Sequence, residues 1–228
     1  MFDDLKKEVL KANLALVDSG LVILTWGNVS TINRAEGVIV IKPSGVDYKE
    51  MKAEDMVIVD LNGTVRSGNK KPSSDTQTHI ELYKTFPQIG AVVHTHSTFA
   101  TVFCQAEKEI PCLGTTHADH FSGPVPVTRY LTENEVLEGY EINTGKIIGE
   151  RFSCLDPVSI PSVLVAGHAP FSWGGNTKDA VKNSIALERV AEMAFYTLQI
   201  NPSAKLQGYI LNKHYQRKHG PNAYYGQK

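Results

Sequence analysis

His94 and His96 stand one residue apart in the stretch VVHTHS, residues 92–97, at the end of an apolar run. Side chains alternate faces along a strand, so two histidines at this spacing point the same way, and both imidazoles can reach one ion. Two solvent-facing histidines at a strand end would leave the same trace. His168 follows a second apolar run, VLVAG, and Asp75 follows two serines at what reads as a helix start. Together Asp75, His94, His96 and His168 would form a shell of three imidazoles and one carboxylate. Such a set suits Zn²⁺, and also Mn²⁺ or Co²⁺, better than Mg²⁺ or Ca²⁺, which favour oxygen ligands. The alternatives are an acid at a helix N-terminus for Asp75 and a hydrogen-bonded core histidine for His168.

Two further stretches have the chemistry of anion cradles. In IKPSGV (41–46), Gly45 can take positive φ so that successive backbone N–H groups form a nest, with Lys42 as a point charge and Ser44 as a hydroxyl donor. In KKPSSD (70–75), free N–H groups at a helix start and the Ser73 and Ser74 hydroxyls favour a negative group. Pro-Ser-Gly is also an ordinary turn, and Ser-Ser-Asp an ordinary cap. Asp75 adjoins the second cradle, which would place an anion and a cation within one substrate's length.

The elements that must carry these residues follow from periodicity and punctuation. Leu5, Val9, Ala12 and Leu16 predict an amphipathic helix over 3–18. LVILTW (21–26) and GVIVIK (37–42) read as strands, and DMVIVDLNGTV (55–65) as a hairpin turning at Asn62-Gly63. A helix is expected over 73–86, capped at Ser73 or Ser74 and ended by Pro87. A short buried strand follows at 89–96, then a helix at 97–106 capped by Ser97. The segment 162–174 is strand-like, 176–200 a long helix, and 203–218 a last one. The hairpin argues against a purely parallel sheet, so the expectation is a mixed or antiparallel sheet covered by helices.

Composition bounds the rest. The 228 residues are 42% hydrophobic, enough for one substantial core, and a single domain over 1–228 is expected. Lys+Arg (23) and Asp+Glu (24) nearly cancel to a formal charge of −1, so no global field attracts nucleic acid or an anionic membrane. Cys104, Cys112 and Cys154 are odd in number and irregular in spacing, which suits a reducing cytoplasm rather than a disulfide framework. The N-terminus reads as a helix rather than a signal peptide. No apolar run approaches the roughly 20 residues a spanning helix needs. A cytoplasmic protein without nucleic-acid or membrane partners is expected.

The motifs LTWGNVS (24–30), IKPSGVDY (41–48), KKPSSDTQTH (70–79), VVHTHS (92–97), GTTHADHF (114–121), GHAPFSWG (167–174) and KHYQRKHGPNAYYGQK (213–228) together resemble the class II aldolase/epimerase family, from the first helix to the C-terminus. The resemblance implies a three-layer α/β/α fold with a central, largely antiparallel sheet. It implies a homotetramer with active sites between neighbouring subunits. The implied reaction is the metal-dependent interconversion of L-ribulose 5-phosphate and D-xylulose 5-phosphate, a step of arabinose or ascorbate catabolism. On the family's pattern one divalent cation per subunit, Zn²⁺ first, falls on Asp75, His94, His96 and His168. The phosphate falls on Asn28, Ser44, Gly45, Ser73 and Ser74, with Lys42 near the substrate, and an acid/base pair falls on Asp119 and Tyr225.

Inversion at C4 of a ketose is hard by proton abstraction, because the C4 hydrogen is not α to the carbonyl. Retro-aldol chemistry avoids this. A base takes the C4-hydroxyl proton, and the C3–C4 bond breaks into a dihydroxyacetone enediolate and glycolaldehyde phosphate. The aldehyde rotates, and the enediolate adds to its other face. A cation stabilises the enediolate as a Lewis acid, and one proton handler serves each face. His214, Arg217, Lys218 and His219 form a basic cluster, either a solvated helix face or a contact for phosphate or a neighbouring subunit. Glu141 has no distinct role in the sequence. Three other functions compete: a sugar-phosphate aldolase, whose sequences carry Glu where Asp75 stands; a non-catalytic metal-binding scaffold such as the adducin head domain; and a zinc hydrolase, for which no water-activating base is evident.

Overall fold

The computed structural model describes residues 2–224. Helix α1 (Asp3–Asp18) leads into strands β1 (Asn28–Asn33), β2 (Val38–Ile41), β3 (Val57–Asp60) and β4 (Val65–Ser67). Helix α2 (Thr76–Thr85), strand β5 (Ala91–His94), helix α3 (Thr98–Gln105) and a single turn, α4 (Thr115–Ala118), come next. Helix α5 (Glu133–Arg151), strands β6 (Ser162–Leu164) and β7 (Pro170–Gly174), and helices α6 (Thr177–Ile200) and α7 (Gly208–His219) complete the order. The seven strands form one sheet in the order β4-β3-β2-β1-β5-β7-β6, and every named pairing is antiparallel.

The alternation of β-branched residues decides the layers. Val38, Val40 and Ile58 pack with Val9 of α1 on one face. Ala91 and Val93 meet Leu16 of α1 and Val181 of α6 on that same side. Ile39, Ile41, Val57 and Val59 point the other way, onto Ile80 and Leu82 of α2 and Ile147 and Ile148 of α5. Each fully buried side chain of this kind contributes about 1.5–3 kcal/mol relative to exposure, so a one-residue slip of register would be costly on both faces at once. The result is helix, antiparallel sheet, helix, the expected three-layer α/β/α arrangement. Cys104, Cys112 and Cys154 are all free thiols.

Several elements differ from the sequence reading. LVILTW (21–26) is not a strand: Leu21 is buried, but Ile23, Leu24 and Trp26 are exposed, and Leu24 sits at φ +55°. The strand begins at Asn28 instead, because NVSTIN is the segment that pairs with both β2 and β5. The segment 162–174 is two strands joined by a turn that carries His168. The β3–β4 hairpin exists, with a longer loop: Asp60 N donates to Thr64 O, and Gly63 N to Asp60 O.

Helix α5 was invisible to periodicity because glycines interrupt it. Gly139 breaks the helix with non-helical backbone, while Gly145 lets α5 approach α2 so closely that a Cβ there would lie 2.5 Å from Glu81 Cβ. The legible signal was Thr132-x-x-Glu135, a capping box in which Thr132 N donates to the Glu135 carboxylate at 2.8 Å and Glu135 N to Thr132 Oγ1 at 3.3 Å.

Ser97 occupies the cap position of α3, as expected, but its side chain makes no capping bond. Glu188 of α6 takes that role: its two carboxylate oxygens accept from Phe99 N and Ala100 N, each at 2.9 Å. A carboxylate on two free amides at a helix N-terminus is a strong, charge-assisted cap. Glu188→Ala is therefore expected to cost about 2 kcal/mol, read as a shift in urea midpoint at unchanged slope.

Candidate metal centre and anion cradle

Three histidines converge at the ends of β5 and β7. One ligand nitrogen from each of His94, His96 and His168 lies within 4.8 Å of the others. Ring centroids are 4.9 Å apart for His94–His96 and His94–His168, and 5.2 Å for His96–His168. His94 is the last residue of β5, paired with Asn28 on one side and Phe171 on the other. His96 lies two residues on, past the strand end, where the period of two still turns it to His94's side. His168 arrives from the β6–β7 turn.

The rings are held from behind. His94 Nδ1 donates to the Pro170 carbonyl at 3.0 Å, which leaves Nε2 as its lone pair, and the ring stacks on Phe171 at 4.2 Å. A carbonyl fixing one nitrogen so that the other can bind is the usual support of a metal-ligating histidine. His168 Nδ1 is buried with no hydrogen-bond partner among the described residues. Burial, then the neighbouring His94, pushes the His96 pKa down to about 4. Burial, then His94 and His96, pushes that of His168 to about 3. Both rings are neutral at pH 7, the state a cation needs. An orphaned imidazole nitrogen, neutral rings and an all-nitrogen cluster fit a divalent transition metal.

Asp75 lines the same cleft but stands outside the three-nitrogen cluster. It takes the N-cap position of α2 that the sequence reading gave to Ser73 or Ser74, without capping the helix. Its Oδ2 accepts instead from Asn28 Nδ2 at 2.7 Å. Burial works against its charge, but His94, His79 and the Asn28 amide outweigh that and hold the carboxyl below the ordinary carboxylate range.

The two candidate anion cradles, distant in sequence, adjoin in the structure. Pro43 and Pro72 form an antiparallel bridge; Ser44 N donates to Lys71 O at 2.9 Å and Ser73 N to Lys42 O at 3.0 Å. Gly45 has φ +67°, a left-handed conformation that a side chain would strain. Asn28 Nδ2 also donates to Ser73 Oγ at 3.0 Å, tying cradle to carboxylate. Lys42 is only 2% exposed, its ammonium 4.7 Å from the centre of the Tyr48 ring. Burial lowers its pKa, with Asp75 and Asp47 opposing. Asn28, Lys42, Ser44, Gly45, Ser73 and Ser74 thus line one cleft of about 520 Å³ with Asp75 and the three histidines. The sequence reading missed Trp26, which lines the cleft and lies 6.2 Å from His96; its place just before Gly27-Asn28 was the available hint.

Asp119 is elsewhere. It follows α4 and does not line this cleft. Arg217 of α7 grips it through Nη2 to Oδ2 at 2.8 Å and Nε to Oδ1 at 3.1 Å. His214 Nδ1 lies 3.1 Å from Oδ1, and Lys218 Nζ 3.7 Å from Oδ2. The basic cluster is therefore folded onto one acid rather than spread over a solvated helix face. Burial would raise the Asp119 carboxyl, but the hydrogen bonds from Arg217 and His214 and the charges of Lys218 and Arg217 hold it below its ordinary range. Tyr225 lies outside the described residues.

A three-layer scaffold thus brings a histidine triad and a candidate anion cradle into one cleft. Residues 7–195 match the family of the class II aldolase and adducin N-terminal domain, and the chain belongs to that family. It is similar to a solved L-fuculose 1-phosphate aldolase, at 27% identity and a TM-score of 0.79 over 94% of this chain and 95% of that one. It is also similar to YgbL from Klebsiella pneumoniae, a candidate aldolase/epimerase/decarboxylase, at 24% identity and a TM-score of 0.74 over 92% of this chain and 97% of that one. The aldolase of Thermus thermophilus named for L-fuculose 1-phosphate shares the fold at 20% identity and a TM-score of 0.67, over 89% of this chain and 98% of that one. Among the described residues no helix is long and apolar enough to cross a membrane.

Proposed function

We propose that the protein is an L-ribulose-5-phosphate 4-epimerase, dependent on one divalent cation per subunit, with Zn²⁺ the first candidate. The observation that carries this reading is the fusion of the 42–45 and 71–74 loops into one cradle beside the histidine triad. A substrate that satisfies both ends carries a phosphate and vicinal oxygens able to chelate a cation, as a phosphorylated ketopentose does. His94, His96 and His168 would hold the cation, with Asp75 beside them. When bound, it supplies Lewis-acid stabilisation for charge developing on the substrate's C2 and C3 oxygens.

The chain's own groups do the rest. Ser44, Ser73, Ser74 and the Gly45 nest hold the phosphate, with Lys42 beside it, so the aldehyde fragment stays in place while it rotates. Asn28 bridges the cradle and Asp75, fixing the distance between the two ends. Two proton handlers are needed, one on each aldehyde face, and the cleft's own wall does not include Asp119. We assign that pair to Asp119 and Tyr225 of a neighbouring subunit in a homotetramer. This accounts for two features: Asp119 and α7 form a locked unit away from their own cleft, and Ile23, Leu24 and Trp26 are exposed around residue 25 at the cleft. Asp at position 75, together with THADHF and AYYGQ, favours epimerisation over aldol release.

The test is NMR of L-ribulose 5-phosphate with Zn²⁺-loaded protein and a chelator-treated control. Metal-dependent appearance of D-xylulose 5-phosphate is the expected result. Net dihydroxyacetone and glycolaldehyde phosphate would make the protein an aldolase. No reaction with metal bound would leave a scaffold.

A further inference from the structure

The three histidines are not held alike. The Pro170 carbonyl and the Phe171 ring fix His94. His168 stands on the turn between β6 and β7 rather than in a strand, and its Nδ1 has no hydrogen-bond partner among the described residues. A ring so placed keeps its orientation through what packs against it.

Two tyrosines of one segment supply that packing. The Tyr140 ring meets the His168 ring edge to face, with centroids 5.8 Å apart and planes at 62°. Tyr130 covers the preceding residue, where a Cβ on Gly167 would collide with its ring. Phe171 also turns an edge to His168, at 6.3 Å, but it already stacks on His94.

Tyr140 is there because α5 breaks in front of it. Gly139 has non-helical backbone, φ 157° and ψ 95°, so the chain re-enters the helix at Tyr140 in a new direction. Side chains fasten the break. Asn143 Nδ2 donates back across it to Glu135 O at 2.8 Å. Thr144 Oγ1 donates to Tyr140 O at 2.8 Å, and Thr78 Oγ1 of α2 to Glu141 O at 2.7 Å. A break frees backbone carbonyls, and side chains that satisfy them make it a fixed feature. Thr78 lies three residues after Asp75, so Tyr140 is tied to the helix that opens at the cleft. Arg129 pairs with Glu135 ahead of the break and with Glu150 behind it, each at 2.8 Å. Tyr140 nevertheless stays 37% exposed. A side chain that exposed adds little to the core, and the fastening serves the placement of the ring rather than its burial.

We propose that Tyr140 is a positioning residue for His168: on the metal reading given above, its ring holds the imidazole in the orientation in which its nitrogen meets those of His94 and His96. Partners around metal ligands are typically worth 10–100-fold in affinity, and a ring edge without a hydrogen bond belongs at the low end, about tenfold.

Tyr140→Phe keeps the ring and Tyr140→Ala removes it. Zn²⁺ affinity is measured by competition with a chromophoric chelator, alongside thermal melts of the metal-free proteins. Tyr140→Phe should stay within about threefold of the parent, and Tyr140→Ala should fall about tenfold. Leu137→Ala, ahead of the break and 77% exposed, should change nothing. Equal affinities in Tyr140→Ala and the parent overturn the proposal. So do equal losses in the two Tyr140 variants, which would place the effect in the hydroxyl. A second measurement needs no metal. In ¹H–¹³C spectra of the metal-free proteins, the His168 ring signals should be sharp in the parent and in Tyr140→Phe. In Tyr140→Ala they should broaden through exchange between ring orientations, while those of His94 stay sharp. Sharp His168 signals in Tyr140→Ala, or equal broadening of His94, overturn the proposal. If the parent protein binds no Zn²⁺, or His96→Asn leaves its affinity unchanged, the metal reading itself has failed, and the ring spectra still decide whether Tyr140 fixes His168.

Discussion

His96→Asn is expected to abolish bound metal and turnover together while leaving the fold intact. The substitution removes one of the three nitrogens that meet within 4.8 Å, and what remains is one ligand short of the set the fold brings together, with Asp75 standing outside that cluster. The scaffold has little to lose. His96 lies beyond the end of β5, is exposed, and contacts the rings of Trp26, His94 and His168. The stability of the metal-free protein should change by no more than about 0.5 kcal/mol, the range of surface substitutions. Metal content after dialysis and turnover of L-ribulose 5-phosphate are the paired readouts. Wild-type turnover without bound metal would sink the proposed centre. Lost turnover with full metal content would move His96 from binding to catalysis.

Asp119→Asn carries the second large effect, a fall in turnover of about 10²–10⁴-fold, the usual contribution of a positioned acid or base. Asn keeps an acceptor for Arg217 but loses the charge that organises His214, Arg217 and Lys218. Docking of α7 should weaken by about 2 kcal/mol, the scale of a charge-assisted hydrogen bond. A purely structural role would show only that loss, and excess salt or lower temperature would then restore activity. A catalytic role predicts that turnover stays low when the melt shows α7 docked.

Subunit mixing goes further. Neither His96→Asn nor Asp119→Asn should turn over alone. If each cleft takes its acid/base residue from a neighbour, mixed tetramers combine an intact cleft with an intact Asp119 and regain a fraction of wild-type activity. If each subunit serves itself, mixing restores nothing, and the assignment of Asp119 to a neighbour fails.

Glu188, Asn28 and Pro170 show how far the site depends on distant chain. Glu188 lies on α6, yet its carboxylate fixes the first turn of α3, immediately after the histidine pair. Asn28 opens β1, yet its amide reaches both the cradle serine and the carboxylate of α2. The Pro170 carbonyl sets the orientation of His94 across the β5–β7 pairing. None of these partnerships has a local signature.

By itself the sequence determined the residues that can do chemistry and most of the elements that hold them. The His94–His96 spacing works because a strand's period of two is local physics, and it survives one step past the strand end. The helices α1, α2, α3 and α6 were legible from periodicity and stop signals, and β2, β3 and β5 from short β-branched runs. Where local signals conflicted with packing, the reading failed. Leu21–Trp26 is apolar enough for a strand, but pairing with β2 and β5 favoured Asn28–Asn33. The segment 133–151 has no apolar period to mark it as a helix, and its close approach to α2 requires Gly145. Only the tertiary structure decided that Lys42–Gly45 and Lys71–Ser74 form one cradle, because the Pro43–Pro72 bridge joins segments that no local period relates. It also decided that Asp119 belongs with α7 and not with the cleft of its own chain: Arg217, His214 and Lys218, all on one helix, converge on that carboxylate. Long-range pairing of this kind is set by which surfaces can be buried together, and that is a property of the whole chain.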